Sequence, residues 1–447
     1  MRLTKIEKSS HVGLCTIDHE CEVVELDAGE AVYIALNRIL SKMVIVVPCK
    51  NEDPKTIEGV LVGIPNPCFI LLVSNSTRTD GQDRYQDEVN MLKRFCAISG
   101  RKGLAVHQKD VGAAAALRDA GMPELIGEDH MVRNGKGEGM ILGLALAATL
   151  CPDLKYVGFM DADSKLSGAP NEYCKAYASG FALYPEDQHV MVRIHWGSKP
   201  KERDGVYDFD VREGRSSRVV NEWLNRLLDL LWDETETDGI PSGVSHKKIV
   251  STANAGEHAM TMGLALKLRM AGGYAIEPFH FVDLLERQVQ SPTTSYCGSD
   301  DGSVSTLSSA GSLEASPVRI LQIRTSNPHI HASKGDLHTR AMWKTGLGTI
   351  FHHLFPLYSS DSSIDDPLSD SVFKVRQEMM DFVAAEDKKF AQANTTTYNI
   401  TADANDDVDE LLPRPRVYPP LETLDLDLVK KRFTSGTAKT LHRIGFD

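Results

Sequence analysis

Between Met43 and Asp163 the apolar positions fall into two alternating patterns. Short runs rich in β-branched residues read as buried strands: Met43-Val-Ile-Val-Val47, Phe69-Ile-Leu-Leu-Val73, Leu104-Ala-Val-His107 and Tyr156-Val-Gly-Phe-Met160. Helical patterns lie between them at Pro54–Ile64, Arg84–Ser99 and Glu138–Leu150. The second is amphipathic, with Val89, Leu92, Phe95 and Cys96 on one face, and the third is apolar all round, which predicts burial. Strands alternating with helices predict a parallel α/β sheet. Upstream, residues 1–40 mix short apolar alternation with acidic residues. They predict one or two strands and a short helix packed on the core.

Beyond Asp163 the pattern changes. Helices are predicted at Ala169–Leu183, Ser217–Trp232, Glu257–Ala271 and Leu337–Leu357, and strands at Val190–Trp196 and Val318–Arg324. Ser291–Pro317 and the shorter Asp361–Asp370 are rich in Ser and Asp and read as flexible loops. From Asn394 the tail holds an acidic stretch, Asp403–Glu410, then Leu412-Pro-Arg-Pro-Arg416 and Pro419-Pro420, which read as an extended arm or a disordered segment.

Charge narrows the function classes. The chain has 447 residues, with 49 Lys and Arg against 62 Asp and Glu, a net charge of −13. That argues against a general nucleic-acid binder, yet leaves room for a local basic site for a phosphorylated small molecule. No apolar run reaches the ~18 residues of a membrane span. The longest, Met140–Leu150, stops at Cys151-Pro152. The first ten residues lack the apolar core of a secretory leader. Eight cysteines occur with no Cys-x-x-Cys pair, which predicts reduced thiols in a cytoplasmic protein.

Five constellations carry candidate chemistry. First, the strand Tyr156–Met160 runs into Asp161-Ala-Asp163. At the carboxyl end of a parallel strand these acids face the crevice where α/β sheets bind ligands, and with a phosphorylated ligand they suit Mg²⁺ or Mn²⁺. The same pair can equally be a turn or helix cap. Second, Val47-Pro48-Cys-Lys-Asn51-Glu52 and Val73-Ser74-Asn75-Ser76 end two strands with polar turns suited to a base, ribose or phosphate, or to plain helix capping. Third, Arg133-Asn-Gly135-Lys136-Gly137-Glu138-Gly139 opens the apolar helix with glycines, a cation and a helix N-terminus. It lacks the spacing of a P-loop or a dinucleotide fingerprint, and its bland reading is a loop. Fourth, Gly214-Arg215-Ser216-Ser217 could form a phosphate or carboxylate nest, or cap a helix. Fifth, Asn254-Ala-Gly256-Glu257-His258 and Asn327-Pro-His329-Ile-His331 supply histidines that are structural or metal-binding.

In order along the chain, with His107-Gln-Lys-Asp110 added, these motifs resemble the mannosyl-3-phosphoglycerate synthases over about Met43–Leu357. These are nucleotide-sugar glycosyltransferases of the GT-A fold. The resemblance implies an α/β fold with a Rossmann-like, mostly parallel central sheet flanked by helices and added C-terminal segments. It implies transfer of mannose from GDP-mannose to 3-phosphoglycerate, with Mg²⁺ or Mn²⁺, retention of the α configuration and a homodimer. Nucleic acid and membrane are not expected partners. The expected organisation is an N-terminal 1–40, a catalytic domain 41–360 and an extension 361–447. The catalytic domain divides into a nucleotide-sugar half, about 41–165, and an acceptor half, about 166–360, with the insert 291–317.

By position the resemblance implies that Pro48, Asn51, Glu52, Ser76, Lys136 and Asp161 contact the nucleotide sugar. It implies Asp163 as a metal ligand, with one of His329 and His331 as the second. Arg133, Gly214, Arg215, Ser216 and Ser217 would hold the acceptor, and Glu257 and His258 would lie near the transferring sugar. Asp161, Lys136, Glu257 and His258 are thus the expected catalytic group. Thr235–His246 looks inserted. Rival readings are a glucosyl-3-phosphoglycerate synthase, a sugar-phosphate nucleotidyltransferase and a non-catalytic nucleotide-sugar-binding protein. Against the second, no Gly-rich, Arg-containing loop follows the first core strand. Against the last, Asp161, Asp163, Lys136 and Arg215 are all present.

Overall fold

Met43–Cys49 lies in the interior of the sheet, and its alternate residues face two separate cores. Val44 and Val46 pack with Leu71, Val73, Leu104 and Val106 on one side. Met43, Ile45 and Val47 pack with Ile70, Leu72 and Ala105 on the other. The continuous apolar runs follow from this, because both faces of the sheet are covered. The structure is a computed structural model. It describes residues 2–6, 8–12, 15–25, 30–79, 81–203, 206–209, 214–231, 248–290, 317–331, 335–358, 367–393 and 411–446. The expected insertions at 235–246 and 291–316, residues 361–366 and the acidic stretch 403–410 lie outside the described residues.

The strands order as Arg2–Lys5, Cys15–Glu25, Val318–Arg324, Val190–His195, His258–Thr261, Tyr156–Phe159, Met43–Cys49, Phe69–Ser74, Gly103–His107 and His442–Ile444, with Lys8–Val12 also paired to Cys15–Glu25. Those at Cys15, Met43, Phe69, Gly103, Tyr156, Val190 and Val318 all run one way, and the remaining four run against them. This is the mostly parallel central sheet that the resemblance implied. Helices Pro54–Gly63, Arg84–Ser99 and Ala169–Leu183 cover one face, and Val111–Asp119 and Lys136–Leu150 the other. Among the described residues no helix is long and apolar enough to cross a membrane. Among the described residues seven cysteines are free and buried.

Several expectations need correction. Glu257–Ala271 is not one helix: His258–Thr261 is a strand, Met262–Lys267 a short helix and Met270–Ala271 a second strand. Tyr156–Phe159 and Val190–His195 each present an open edge, and His258–Thr261 fills the gap between them antiparallel. Two rows of ladder hydrogen bonds and burial on both faces override a helical pattern. The N-terminus supplies three strands, because Cys15–Glu25 takes two short strands on its outer edge before Glu30–Leu40 forms a helix.

The C-terminal region is more ordered than an extended arm. Pro367–Ala393 and Leu426–Thr434 are helices, and His442–Ile444 extends the sheet beyond Gly103–His107. Val429 and Phe433 join the core that also holds Ile141, Leu144 and Ala145. The helix Lys136–Leu150 is apolar all round for that reason. One side meets the sheet, where a Cβ on Gly143 would lie 2.6 Å from Val46 Cγ1, and C-terminal segments help to cover the other.

Candidate active site

The carboxyl ends of the parallel strands converge on one cavity of about 350 Å³. Asp161 and Asp163 follow Tyr156–Phe159, Trp196 and Lys199 follow Val190–His195, and His329 and His331 follow Val318–Arg324. Lys136 opens its helix, and Gly214, Arg215 and Ser216 stand at the start of Arg215–Leu231. His258–Thr261 runs the opposite way, so it begins at this end of the sheet and delivers Asn254 and Gly256 to the cavity.

At the centre is an ion cluster. Lys136 Nζ lies 2.5 Å from Asp161 Oδ1 and 2.7 Å from Glu277 Oε1. Burial disfavours the ammonium charge, but the two carboxylates outweigh it and hold Lys136 well above the ordinary lysine range. Burial likewise opposes the charge on Asp161, and Lys136 overcomes it and keeps its carboxyl below the usual range. A Cβ on Gly256 would fall 2.2 Å from Asp161 Oδ2 and 2.7 Å from Lys136 Nζ. Only glycine lets the turn pass this close to the pair.

Behind the cluster Glu257 meets His329. Glu257 is fully buried, its carboxyl oxygens have no hydrogen-bond partner among the described residues, and Oε1 lies 3.6 Å from His329 Nδ1. Burial and then the charge on Asp161 raise its pKa well above the carboxyl range. Burial and then Lys199 lower His329 well below the imidazole range. The His329 ring stacks on Trp196 with centroids 4.4 Å apart, and Lys199 Nζ stands 4.5 Å from the Trp196 ring centre.

The His329 imidazole, the Asp163 carboxylate and His331 line the same cavity, a donor set suited to a divalent cation. Among the described residues no three His, Cys, Asp or Glu side chains converge as a metal cage.

The remaining expected residues fall elsewhere. Pro48, Asn51, Glu52 and Ser76 do not line this cavity; they belong to the polar turns ending Met43–Cys49 and Phe69–Ser74. Ser76 is buried, donates to Glu88 at 2.6 Å and accepts the Asn51 N–H at 2.8 Å. Its hydroxyl thus shapes the turn, where Asn51 adopts φ 59°. Arg133 turns its Nε to the Glu124 carbonyl at 2.9 Å. Ser217 is buried in the helix after Ser216. His258 is buried against Phe159 and His280, with ring centroids 5.0 and 4.9 Å away. Glu257 and His258 therefore support the cavity from behind.

Sequence reading missed Glu277, Trp196, Lys199 and Asp336. Glu277 enters on Ile276–Gln290, a helix outside the elements expected from the sequence. Asp336 pairs with Arg215 across the cavity mouth. Lys199 follows a strand end, a position that could have flagged it.

Comparison with known proteins decides the family. The model of the mannosyl-3-phosphoglycerate synthase family matches residues 6–433. The chain belongs to that family. It is 39% identical over 313 residues to the mannosyl-3-phosphoglycerate synthase of Pyrococcus furiosus, covering 70% of this chain and 72% of that one. With the mannosyl-3-phosphoglycerate synthase of Aeropyrum pernix it shares 34% over 349 residues, covering 77% and 80%. Membership makes this chain a glycosyltransferase. Among solved structures, a Mycobacterium tuberculosis glucosyl-3-phosphoglycerate synthase in complex with Mn²⁺, UDP-glucose and glycerol 3-phosphate is similar at 18% identity and TM-score 0.44. That match covers 74% of this chain and 87% of that one.

Proposed function

We propose that this member of the mannosyl-3-phosphoglycerate synthase family moves mannose from GDP-mannose to 3-phosphoglycerate with retention of the α configuration. The observation that carries the reading is the single cavity joining Lys136, Asp161 and Asp163 to Gly214, Arg215 and Ser216. It combines a cation for a diphosphate with a second, basic corner for a phosphorylated acid. The reading keeps the division into a nucleotide-sugar half and an acceptor half, a cytoplasmic location and a homodimer.

Asp163 and one of His329 and His331 would hold Mg²⁺ or Mn²⁺, which when bound offsets negative charge on the donor diphosphate. Lys136 meets the same diphosphate from the helix start, and Asp161 accepts from sugar or ribose hydroxyls while orienting Lys136. Arg215, with the Ser216 hydroxyl and Lys199 nearby, takes the acceptor's phosphate or carboxylate in exchange for its contact with Asp336. Pro48, Asn51 and Glu52 hold the base and ribose in the neighbouring turn, which Ser76 shapes.

Asp161 is engaged by Lys136, and Glu257 is fully buried outside the cavity lining, with burial raising its pKa well above the carboxyl range. Neither stands ready as a nucleophile, which supports front-face displacement with the leaving phosphate taking the acceptor proton. A mannosyl adduct trapped on either carboxylate would overturn that step.

The deciding experiment is product analysis with GDP-mannose, 3-phosphoglycerate and Mg²⁺ or Mn²⁺, with Asp163→Ala in parallel. A phosphorylated mannosylglycerate from the parent alone is expected. Product only with GDP-glucose or UDP-glucose would move the donor reading to a glucosyl transferase. Nucleotide-sugar binding without transfer to any of these pairs would favour the non-catalytic reading.

A further inference from the structure

Glu138 shares its turn with Lys136 but faces away from the cavity, and its surroundings give it another task. It is buried at 2% exposure. Its Oε2 accepts the Gly273 N–H at 2.9 Å and its Oε1 accepts the Tyr418 hydroxyl at 2.9 Å. Glycines make room for this carboxylate. A Cβ on Gly135, at φ 152°, would lie 1.9 Å from Oε2, and one on Gly272 would lie 2.4 Å from Oε1.

Tyr418 comes from far along the chain. Val417–Tyr418 pairs antiparallel with Met270–Ala271, and the Gly272 N–H donates to the Arg416 carbonyl at 2.9 Å. A Cβ on Gly137 would lie 2.1 Å from the Ala271 carbonyl oxygen, so the helix start is pressed onto the same strand. After Gly272 the chain makes one short turn, Gly273–Ala275, and enters Ile276–Gln290, whose second residue is Glu277. Arg416–Tyr418 therefore grips both loops that meet at the Lys136–Glu277 ion pair.

We propose that Tyr418, acting through Glu138, is a positioning residue for Lys136. The two-residue strand Val417–Tyr418 then belongs to the donor site although it touches no substrate. The hydroxyl fixes the carboxylate, the carboxylate fixes the Gly273 turn against the helix start, and the ammonium is held where the diphosphate arrives. Small displacements of a positioned group are costly in such sites, and one lost hydrogen bond to a buried carboxylate is enough to allow them. The inference rests on the reading of Lys136 as the diphosphate contact.

The test is a double-mutant cycle on the full chain, with GDP affinity in Mg²⁺ measured by calorimetry. Tyr418→Phe keeps the buried ring and is expected to weaken GDP by on the order of tenfold. It should raise the donor KM in step and leave the 3-phosphoglycerate KM within about twofold. In the Lys136→Ala background the same substitution should change GDP affinity by less than about twofold, because its effect runs through the missing ammonium. Glu138→Gln is the second variant and should show the same dependence on Lys136. An equal loss in both backgrounds, a matching loss for the acceptor, or no loss in the single variants overturns the proposal. If Lys136→Ala alone binds GDP like the parent, the reading of Lys136 fails instead.

Discussion

Lys136 Nζ and Asp161 Oδ1 meet at 2.5 Å although 25 positions separate them, one residue opening a helix and the other lying two residues past the end of a strand. Glu277 completes the contact from a third element at 2.7 Å. Two carboxylates around one ammonium keep it charged and aimed, so the cation is in place before a diphosphate arrives.

Replacing Lys136 by Met should therefore remove charge stabilisation without opening a void. A fall in kcat/KM of about 10²–10³ is expected, as for loss of one preorganised electrostatic group. Steady-state kinetics with varied donor would show it. A drop below about tenfold would place the diphosphate elsewhere.

Asp163→Asn should weaken Mg²⁺ or Mn²⁺ binding and lower activity at a given metal concentration, by removing a charged ligand. Titrating Mn²⁺ in the presence of GDP by paramagnetic resonance checks this without turnover. Unchanged Mn²⁺ affinity would exclude Asp163 as a ligand.

Arg215→Gln should act on the acceptor. Loss of charge-assisted hydrogen bonds worth about 1.5–3 kcal/mol predicts a 3-phosphoglycerate KM about 10- to 150-fold higher, with the donor KM nearly unchanged. A donor KM that rises equally would argue against separate corners of the cavity.

Arg193 tests the frame around the site. Its guanidinium is fully buried, donates to the carbonyls of Thr252, Ala253 and Glu277, and contacts His280 Nδ1 at 3.3 Å. Burial pulls its pKa down to about 10, still high enough to stay charged at neutral pH. Arg193→Met strands several buried acceptors at ~1–3 kcal/mol each, so a loss of at least ~3 kcal/mol is expected in urea unfolding. A loss under ~1 kcal/mol would mean that the carbonyls find other donors.

Acid should destabilise the fold through two histidines. Burial, then His280 and Arg193, lower His258 well below 6.5, and burial, then Arg193, do the same to His280. The unfolded chain binds protons below about pH 6.5 that the folded chain refuses, so stability falls as pH drops through 6.5, by up to ~1.4 kcal/mol per pH unit for each. Unfolding free energies between pH 7 and 5 check the slope. His280→Asn should remove about one proton from it, and an unchanged slope would assign the effect to other groups.

Much of the fold was legible because its signals are local. Arg84–Ser99 and Ala169–Leu183 carry clear helical periodicity, and Val318–Arg324 a clear strand run; all three have the expected ends. Val111–Asp119 is short and Ala-rich, so it shows little periodicity and was not foreseen. Among the site residues, Lys136, Asp161, Asp163, Arg215, His329 and His331 are legible because they sit at the strand ends and helix starts where α/β sheets bind ligands, within the ordered motifs that carry the resemblance, and one cavity joins them. Ser76 and His258 looked the same in sequence but turn inward, which no local pattern reveals.

The sequence by itself determined the alternation of strands and helices, the polar strand ends and the order of motifs that marks the family, since each depends on neighbours along the chain. Tertiary structure alone decided that Ala259, Met260 and Thr261 lie in a strand, because the ladder hydrogen bonds come from Tyr156–Phe159 and Val190–His195. It alone brought Glu277 to Lys136 and Tyr418 to Glu138. Those contacts span 141 and 280 positions, and their energy comes from burial and charge pairing that exist only once the layers have packed.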